Sequence, residues 1–259
     1  MNQAPLVDES RKLLVRLAEN QSEVEETLAL RYQIFNVEMG EGLAESTLTG
    51  KDRDEFDQYC DHLIVLDPLQ PQGGQIIGTY RLLRRSVARK NIGFYSEREF
   101  NLNNLDHLQD EIAEMGRSCV HEDYRDGSAL GMLWAGLAEY VKKYKIRYLM
   151  GCGSIHTTDP AEISLMYSWL KAKNHIVDEH LRVEPQEEFK MEAFTPDLEI
   201  ENLREAKRSI PGLILSYLMA GAKIGGHPAL DYEFNVTDFF LFFDSLEIEE
   251  RYGKHYLEE

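Results

Sequence analysis

The chain is 259 residues long and carries 46 Asp and Glu against 28 Lys and Arg, a formal charge of −18. With 43% hydrophobic and 29% charged residues it has the composition of a soluble globular protein, not a disordered one, and length for one large domain or two small ones. So acidic a balance argues against nucleic acid as the main ligand, because binding phosphates needs cationic surface, while leaving room for a local basic patch. Cys60, Cys119 and Cys152 lie far apart, with no metal-ligand spacing and no even number for disulfides, so no metal site and a reducing compartment are expected. The N-terminus has no apolar run, and the most apolar stretch, 210–226, is interrupted by Lys223 and too short to span a bilayer. The expected location is the cytoplasm, with peripheral contact at a membrane face as the furthest departure.

In chain order, residues 12–18 (KLLVRLA) read as a strand. Ser22 then caps a helix carrying Val24, Leu28, Tyr32 and Phe35, with Glu25 three residues on as in a capping box. Acidic, glycine-containing sequence at 38–57 reads as loop or a broken short helix. Residues 62–66 (HLIVL) and 75–83 (QIIGTYRLL) flank PLQPQGG and predict a hairpin. Residues 111–120 (EIAEMGRSCV) are a further strand. Leu130, Leu133, Trp134, Leu137, Val141 and Tyr144 recur at the spacing of one buried helical face. A strand at 147–152 (RYLMGC) follows, then a helix opened by Asp159-Pro160-Ala161-Glu162 and carrying Ile163, Met166, Tyr167 and Leu170.

Beyond 175 the pattern thins. Residues 178–194 have room for a strand, 203–209 are polar, 211–222 predict a helix, and the aromatic run within 231–244 suits a buried strand. The last 29 residues hold nine acids and two Lys or Arg. The whole reads as one α/β domain, a mixed sheet with helices, with a core at about 10–195 and a C-terminal extension at about 196–259.

The chemically informative join lies between the strand at 111–120 and the helix at 130–144. There, HEDYRDGSALG places Arg125 two residues before Gly127, followed by Ser128 and Ala129. Unpaired amides and the dipole at a helix N-terminus suit a phosphate, and small residues leave it room. A plain turn is the bland alternative.

The order hairpin, strand, Arg-x-Gly-small loop, amphipathic helix, strand and second helix resembles the GNAT acyltransferases. The loop departs from their usual Gln/Arg-x-x-Gly-x-Gly/Ala by one residue. A finer resemblance runs through RYQIFNVEMG (31–40), DEFDQYCDHLIVLD (54–67), IIGTYRLL (76–83), GFYSEREFNL (93–102), EMGRSCVHEDYRDG (114–127), LWAGLAEYV (133–141), YLMGCGS (148–154) and AGAKIGGHPALDYEFNVTDFFLFFD (220–244). These stretches are similar to the long-chain N-acyltransferase branch, the bacterial ornithine-lipid and N-acyl-amino-acid synthases sometimes labelled hemolysin-like, with acyl-homoserine lactone synthases as distant relatives.

That resemblance implies a GNAT-like fold, a mostly antiparallel twisted sheet flanked by helices. It also implies transfer of a fatty, 3-hydroxyacyl group from acyl carrier protein, or from acyl-CoA, to the α-amine of an amino acid such as ornithine. No permanently bound cofactor is expected, since the phosphopantetheine thioester is itself the donor substrate. Acetyl-CoA-dependent acetylation of a small amine and a non-catalytic acyl-carrier or lipid-binding module are the alternatives.

Glu114 matches a Glu of the family and is the first candidate base, with Glu38 second. Tyr167 is a candidate acid for the leaving thiolate, or a core aromatic. Backbone amides at Cys119 or Val120 would meet the oxyanion, and the Cys119 thiol is a conceivable nucleophile. Arg125, Gly127, Ser128 and Ala129 would hold the donor, with Ser154 lining its channel. On the acceptor side Arg117 either grips a carboxylate or pairs with a neighbouring Glu. Asp61 and His62 stand beside it as candidates, His62 also being readable as a structural hydrogen bonder. Arg81, Arg84, Arg85, Arg89 and Lys90 form a basic run suited to an acidic carrier protein, or to anionic headgroups.

Overall fold

The computed structural model describes residues 6–8, 13–40, 42, 45–109, 111–200, 202–232 and 234–246. Its first elements are β1 (Leu6–Asp8), β2 (Leu13–Leu17), α1 (Gln21–Tyr32) running on as a π-helical turn (Gln33–Glu38), α2 (Ser46–Thr49), β3 (Asp61–Leu66), β4 (Ile76–Arg84) and α3 (Arg85–Ala88). Next come β5 (Phe100–Asn101), β6 (Glu111–Val120), α4 (Ser128–Tyr144), β7 (Ile146–Ile155), α5 (Pro160–Ala172) and β8 (Glu184–Pro185). The chain then forms α6 (Leu203–Ser209), α7 (Gly212–Met219), β9 (Lys223–Ile224), β10 (Ala229–Asp231) and β11 (Val236–Asp244). The fold is mixed α/β, with mainly antiparallel pairing and flanking helices. It divides into two compact units, one built on residues to 92 with 113–146, the other on 93–112 with 147 onward.

In the first unit β1, β2, β3, β4 and β6 are antiparallel neighbours in that order. Strand alternation puts His62 and Ile64 on one face with Arg81 and Thr79, and Asp61 and Leu63 on the other with Leu82 and Tyr80. Helix α1 covers the first face, where Leu30 and Ile34 pack with Ile64, Leu66, Ile76 and Cys119. The cap of α1 is Asn20, whose side chain accepts from the Glu23 amide at 3.1 Å, not Ser22. Both residue types cap well, and Asn20 is the one whose third following residue is Glu23, which accepts from the Glu19 amide. Glu25 instead meets Lys51 and Arg53. Helix α4 covers the second face so closely that a Cβ at Gly136 would come within 2.6 Å of the Val15 side chain.

The second unit pairs β7 with β11 and β11 with β10, all antiparallel, with β9 beside β11 and a separate β5–β8 pair. The aromatic run of β11 is buried on both faces: Phe239 and Phe243 lie at one parity, Phe240 and Phe242 at the other. Residues past 196 therefore supply a central strand here, as well as α6 and α7. As predicted, Asp159 caps α5, accepting from the Ala161 amide at 2.8 Å with Pro160 at the first helical position. Among the described residues no helix is long and apolar enough to cross a membrane.

Candidate active site

The face of the first unit beneath α1 gathers an unusual density of buried charge. Arg31, on α1 and wholly buried, donates from Nε to Asp52 at 2.8 Å and from Nη1 to Asp57 at 2.6 Å. Arg81, on β4, donates to Asp54 at 2.6 Å and to Asp57 at 3.2 Å. Burial would raise Asp57, but Arg31 and Arg81 overcome it and hold its carboxyl down at about 2. Burial likewise opposes the charge on Arg81, and Asp54 with Asp57 outweighs it, so that guanidinium is held above its usual range. Removing one member of such a network leaves uncompensated buried charge, at about 3–5 kcal/mol.

Strand β6 feeds this network through a bulge. Gly116 pairs with Arg81 and Cys119 with Thr79, so Arg117 and Ser118 together oppose Tyr80 alone. Arg117 takes a left-handed backbone, φ +50°, which is costly for a residue with a Cβ. Its guanidinium lies beside the Phe35 ring, 5.7 Å away, and 3.7 Å from Asp52, with 17% of the side chain exposed. The π-helical turn that ends α1 carries Phe35. At 3.7 Å the Asp52 contact is too long for a good hydrogen bond, so the fork of Arg117 keeps donors to offer an incoming anion. Asp52 itself is fully buried and has one carboxylate oxygen, Oδ1, without a hydrogen-bond partner among the described residues, so it steadies Arg117 and Arg31 out of reach of solvent.

Glu114 is buried on the same β6 face, opposite Leu83, close enough to Cys60 for its charge to help raise that thiol. His62 accompanies it: Nε2 meets the Asp57 carbonyl at 3.2 Å while Nδ1 finds no partner among the described residues. Burial lowers its pKa, so the ring is neutral, with Nε2–H donating and Nδ1 a bare lone pair. Glu114, His62 and Arg81 thus share the face beneath α1, with Arg117 on the bulge at its edge near Asp52. Asp61 does not: it points to the other face, where Tyr140 Oη donates to it at 2.7 Å and Arg84 lies 3.4 Å away.

The loop after β6 keeps Gly127 at φ +100°, a conformation that favours glycine. Asp126 accepts from both the Ser128 amide, at 3.1 Å, and its hydroxyl, at 2.7 Å. The first helical bond of α4 runs from the Gly131 amide to Gly127, which leaves the amides of Ala129 and Leu130 without intrahelical acceptors. Arg125 donates to the Val120 carbonyl at 2.9 Å and reaches Glu38 with two nitrogens, Nη2 at 2.8 Å. That bidentate contact holds Glu38 below the usual carboxylate range, so Glu38 is a bridge to the loop and a weak base.

Several expectations change. Burial pushes the Cys119 thiol up to about 12, so it is protonated at neutral pH and unsuited to nucleophilic attack. Arg81 and Arg85 are buried and Arg84 stacks on Tyr144 at 4.1 Å, so the basic run presents chiefly Arg89 and Lys90. The alternation of the strand and the packing of α3 turn the others inward. Tyr167, in the second unit, is buried with its ring edge-on to Phe194 at 5.2 Å and His227 at 5.6 Å, and burial raises its pKa. Ser154 donates to Asp238 at 2.7 Å. Asp238 belongs to a buried trio with Glu99 and Asp231, whose ligand-type oxygens all lie within 4.8 Å, and burial first, then Asp231, raises it to about 6. Sequence reading missed Arg31, Asp52, Asp54 and Asp57. Their signal is four Asp or Glu among the six residues 52–57, with Arg53 and Phe56 between them, inside a stretch that reads as loop or a broken short helix.

The first unit thus combines a buried Arg–Asp network, a bulged strand that presents the half-buried Arg117, and a helix opened by glycine. A family model described as an acetyltransferase (GNAT) domain matches residues 30–135. Fold and match define a GNAT-type acyltransferase. The L-ornithine N(alpha)-acyltransferase of Rhodobacter capsulatus is 34% identical over 245 residues, 93% of each chain. That of Agrobacterium fabrum is 35% identical over 249 residues, 94% of this chain and 85% of the other. The chain belongs to the L-ornithine N(alpha)-acyltransferase family. A solved structure of FeeM, an N-acyl amino acid synthase from uncultured soil microbes, shares the fold at a TM-score of 0.53, with 11% identity and 95% of both chains covered.

Proposed function

We propose that the protein transfers a fatty acyl group, 3-hydroxylated in its preferred form, from the phosphopantetheine thioester of acyl carrier protein to the α-amine of ornithine. The observation that carries this reading is Arg117, a strained, half-sheltered guanidinium with unspent donors, in a chain whose curated relatives act on ornithine. Its fork suits an α-carboxylate bidentately. An α-amine of pKa about 7.7–8.0 is partly neutral at pH 7, so Glu114 has only to accept one proton as the N–C bond forms. Amides at the bulge around Cys119 and Val120 would receive the carbonyl's developing charge. The C–S bond then breaks and the sulfur leaves as a thiolate of pKa about 8.5, which needs no dedicated acid, so Tyr167 is not required.

Arg125, Gly127, Ser128 and Ala129 would hold the donor's phosphate, with Arg125 exchanging Glu38 for it. Asp126, already bonded to the Ser128 amide, would have to yield that position. Arg89 and Lys90 are the cations left to steer an acidic carrier. The test offers purified protein 3-hydroxyacyl carrier protein or 3-hydroxyacyl-CoA with ornithine, lysine or putrescine. Expected is turnover with carrier-bound donor and ornithine, and little with putrescine, which lacks the carboxylate. Equal use of putrescine would refute the Arg117 assignment, and use of acyl-CoA alone would refute the carrier assignment.

A further inference from the structure

In the second unit α5, α6 and α7 share one face of the sheet. Tyr167 of α5 meets Phe239, Tyr217 of α7 meets Phe243, Ile214 of α7 approaches Gly153 on β7, and Trp169 of α5 donates to the Leu203 carbonyl of α6 at 3.0 Å. The outward side of this layer exposes apolar and cationic side chains together. Ile214 and Leu218 face the core, which turns Leu213 and Met219 outward, 56% and 68% exposed, with Ser216 between them on the same arc. One residue after α6 the chain turns at Pro211 into α7, and α6 itself exposes Leu203, Arg204, Lys207 and Arg208.

Those three cations make no ion pair among the described residues. By sequence α6 carries these three cations against one acid, Glu205, a local cationic excess in a chain of charge −18 whose Arg16, Lys51, Arg125, Arg147 and Lys171 hold carboxylates. Large apolar side chains standing singly beside exposed cations do not form the continuous seam that a partner helix or a second copy would need. They do suit a fluid, anionic surface, where aliphatic tips enter the acyl boundary and cations meet headgroup phosphates.

We propose that the outer surface of α6 and α7 docks the protein on an anionic lipid bilayer. Leu213 and Met219 insert, and Arg204, Lys207 and Arg208 supply the attraction. The proposal stands on this surface alone. Joined to the acyl-transfer reading, it delivers a single-chain amphiphilic product where it can dissolve.

The test is co-flotation of the full chain with phosphatidylglycerol–phosphatidylcholine vesicles and with phosphatidylcholine vesicles. Wild type should float with the anionic vesicles only, and less at high salt. Lys207→Gln with Arg208→Gln should lower partitioning about 25-fold, about five-fold per cation. Leu213→Ser with Met219→Ser should lower it at least about tenfold. Both variants should keep the wild-type circular dichroism and acyl transfer from soluble donor, so a failure of catalysis is read separately from a failure of docking. Wild type that stays with neither vesicle, or variants that float as wild type does, would overturn the proposal. So would light scattering that shows a wild-type dimer made monomeric by the Leu213 and Met219 changes, because a second copy would then cover the face.

Discussion

In Arg117→Gly, one gain in stability stands against two losses while catalysis loses its grip on the acceptor. The left-handed backbone at φ +50° costs a side-chain-bearing residue about 1–2 kcal/mol, which glycine relieves. Against this stand about 0.5–1 kcal/mol of extra chain entropy in the unfolded glycine variant. The long, partly exposed contact to Asp52 adds at most about 1 kcal/mol. The net change is within about 1 kcal/mol, a shift in Tm of no more than about 4 °C.

A charged hydrogen bond to a bound carboxylate is worth about 1.5–3 kcal/mol, so kcat/KM for ornithine should fall about 10- to 150-fold. Arg31→Gln is the contrasting variant. It strands Asp52 and Asp57 in the core, costs about 3–5 kcal/mol and lowers Tm by about 10 °C or more. Thermal melts beside kcat/KM for ornithine at saturating donor make the comparison. An Arg117→Gly protein that melts as low as Arg31→Gln, or that uses ornithine as well as wild type does, refutes the argument.

Asp57 has its folded pKa depressed to about 2 from 3.8, so its ionised form stabilises the fold above pH 4, and that contribution, about 2 kcal/mol, disappears as pH falls toward 2. Asp57→Asn should flatten this part of the pH–stability curve in urea titrations. Asp238 behaves oppositely: raised to about 6 from 3.8, it favours the fold at low pH and ceases to do so as pH rises through 6. Asp238→Asn should therefore raise Tm at pH 8 and leave it unchanged at pH 3. Cys119→Ala should retain activity within about threefold, since a buried thiol at about 12 forms no acyl-enzyme, and intact-mass analysis during turnover should find no acylated protein.

Local signals carried much of the architecture. The apolar runs of β3 and β4 on either side of PLQPQGG, the periodicity of α4 and the Asp159-Pro160 start of α5 are all written in consecutive residues. The glycine turn at Gly127 is local in the same way, whereas the choice of Glu114 and Arg117 on the strand before it rests on the resemblance and their roles on the proposed function. The charge network was not, because Arg31 meets Asp52 and Asp57 across more than twenty residues and only the packing of α1 on the sheet joins them. Arg81 and Arg85 misled for a related reason: a cation in a basic run reads as exposed until tertiary structure supplies buried partners. Short elements such as β8 and β9, two residues each, have no periodicity to read.

Tandem mass spectrometry of the product made by purified protein from 3-hydroxyacyl carrier protein and ornithine bears most directly on the central claim. Expected is a single acyl group on the α-nitrogen, formed by wild type and reduced at least about hundredfold in Glu114→Gln, in line with general-base catalysis. Acylation at the side-chain nitrogen, or equal product from Glu114→Gln, would contradict it.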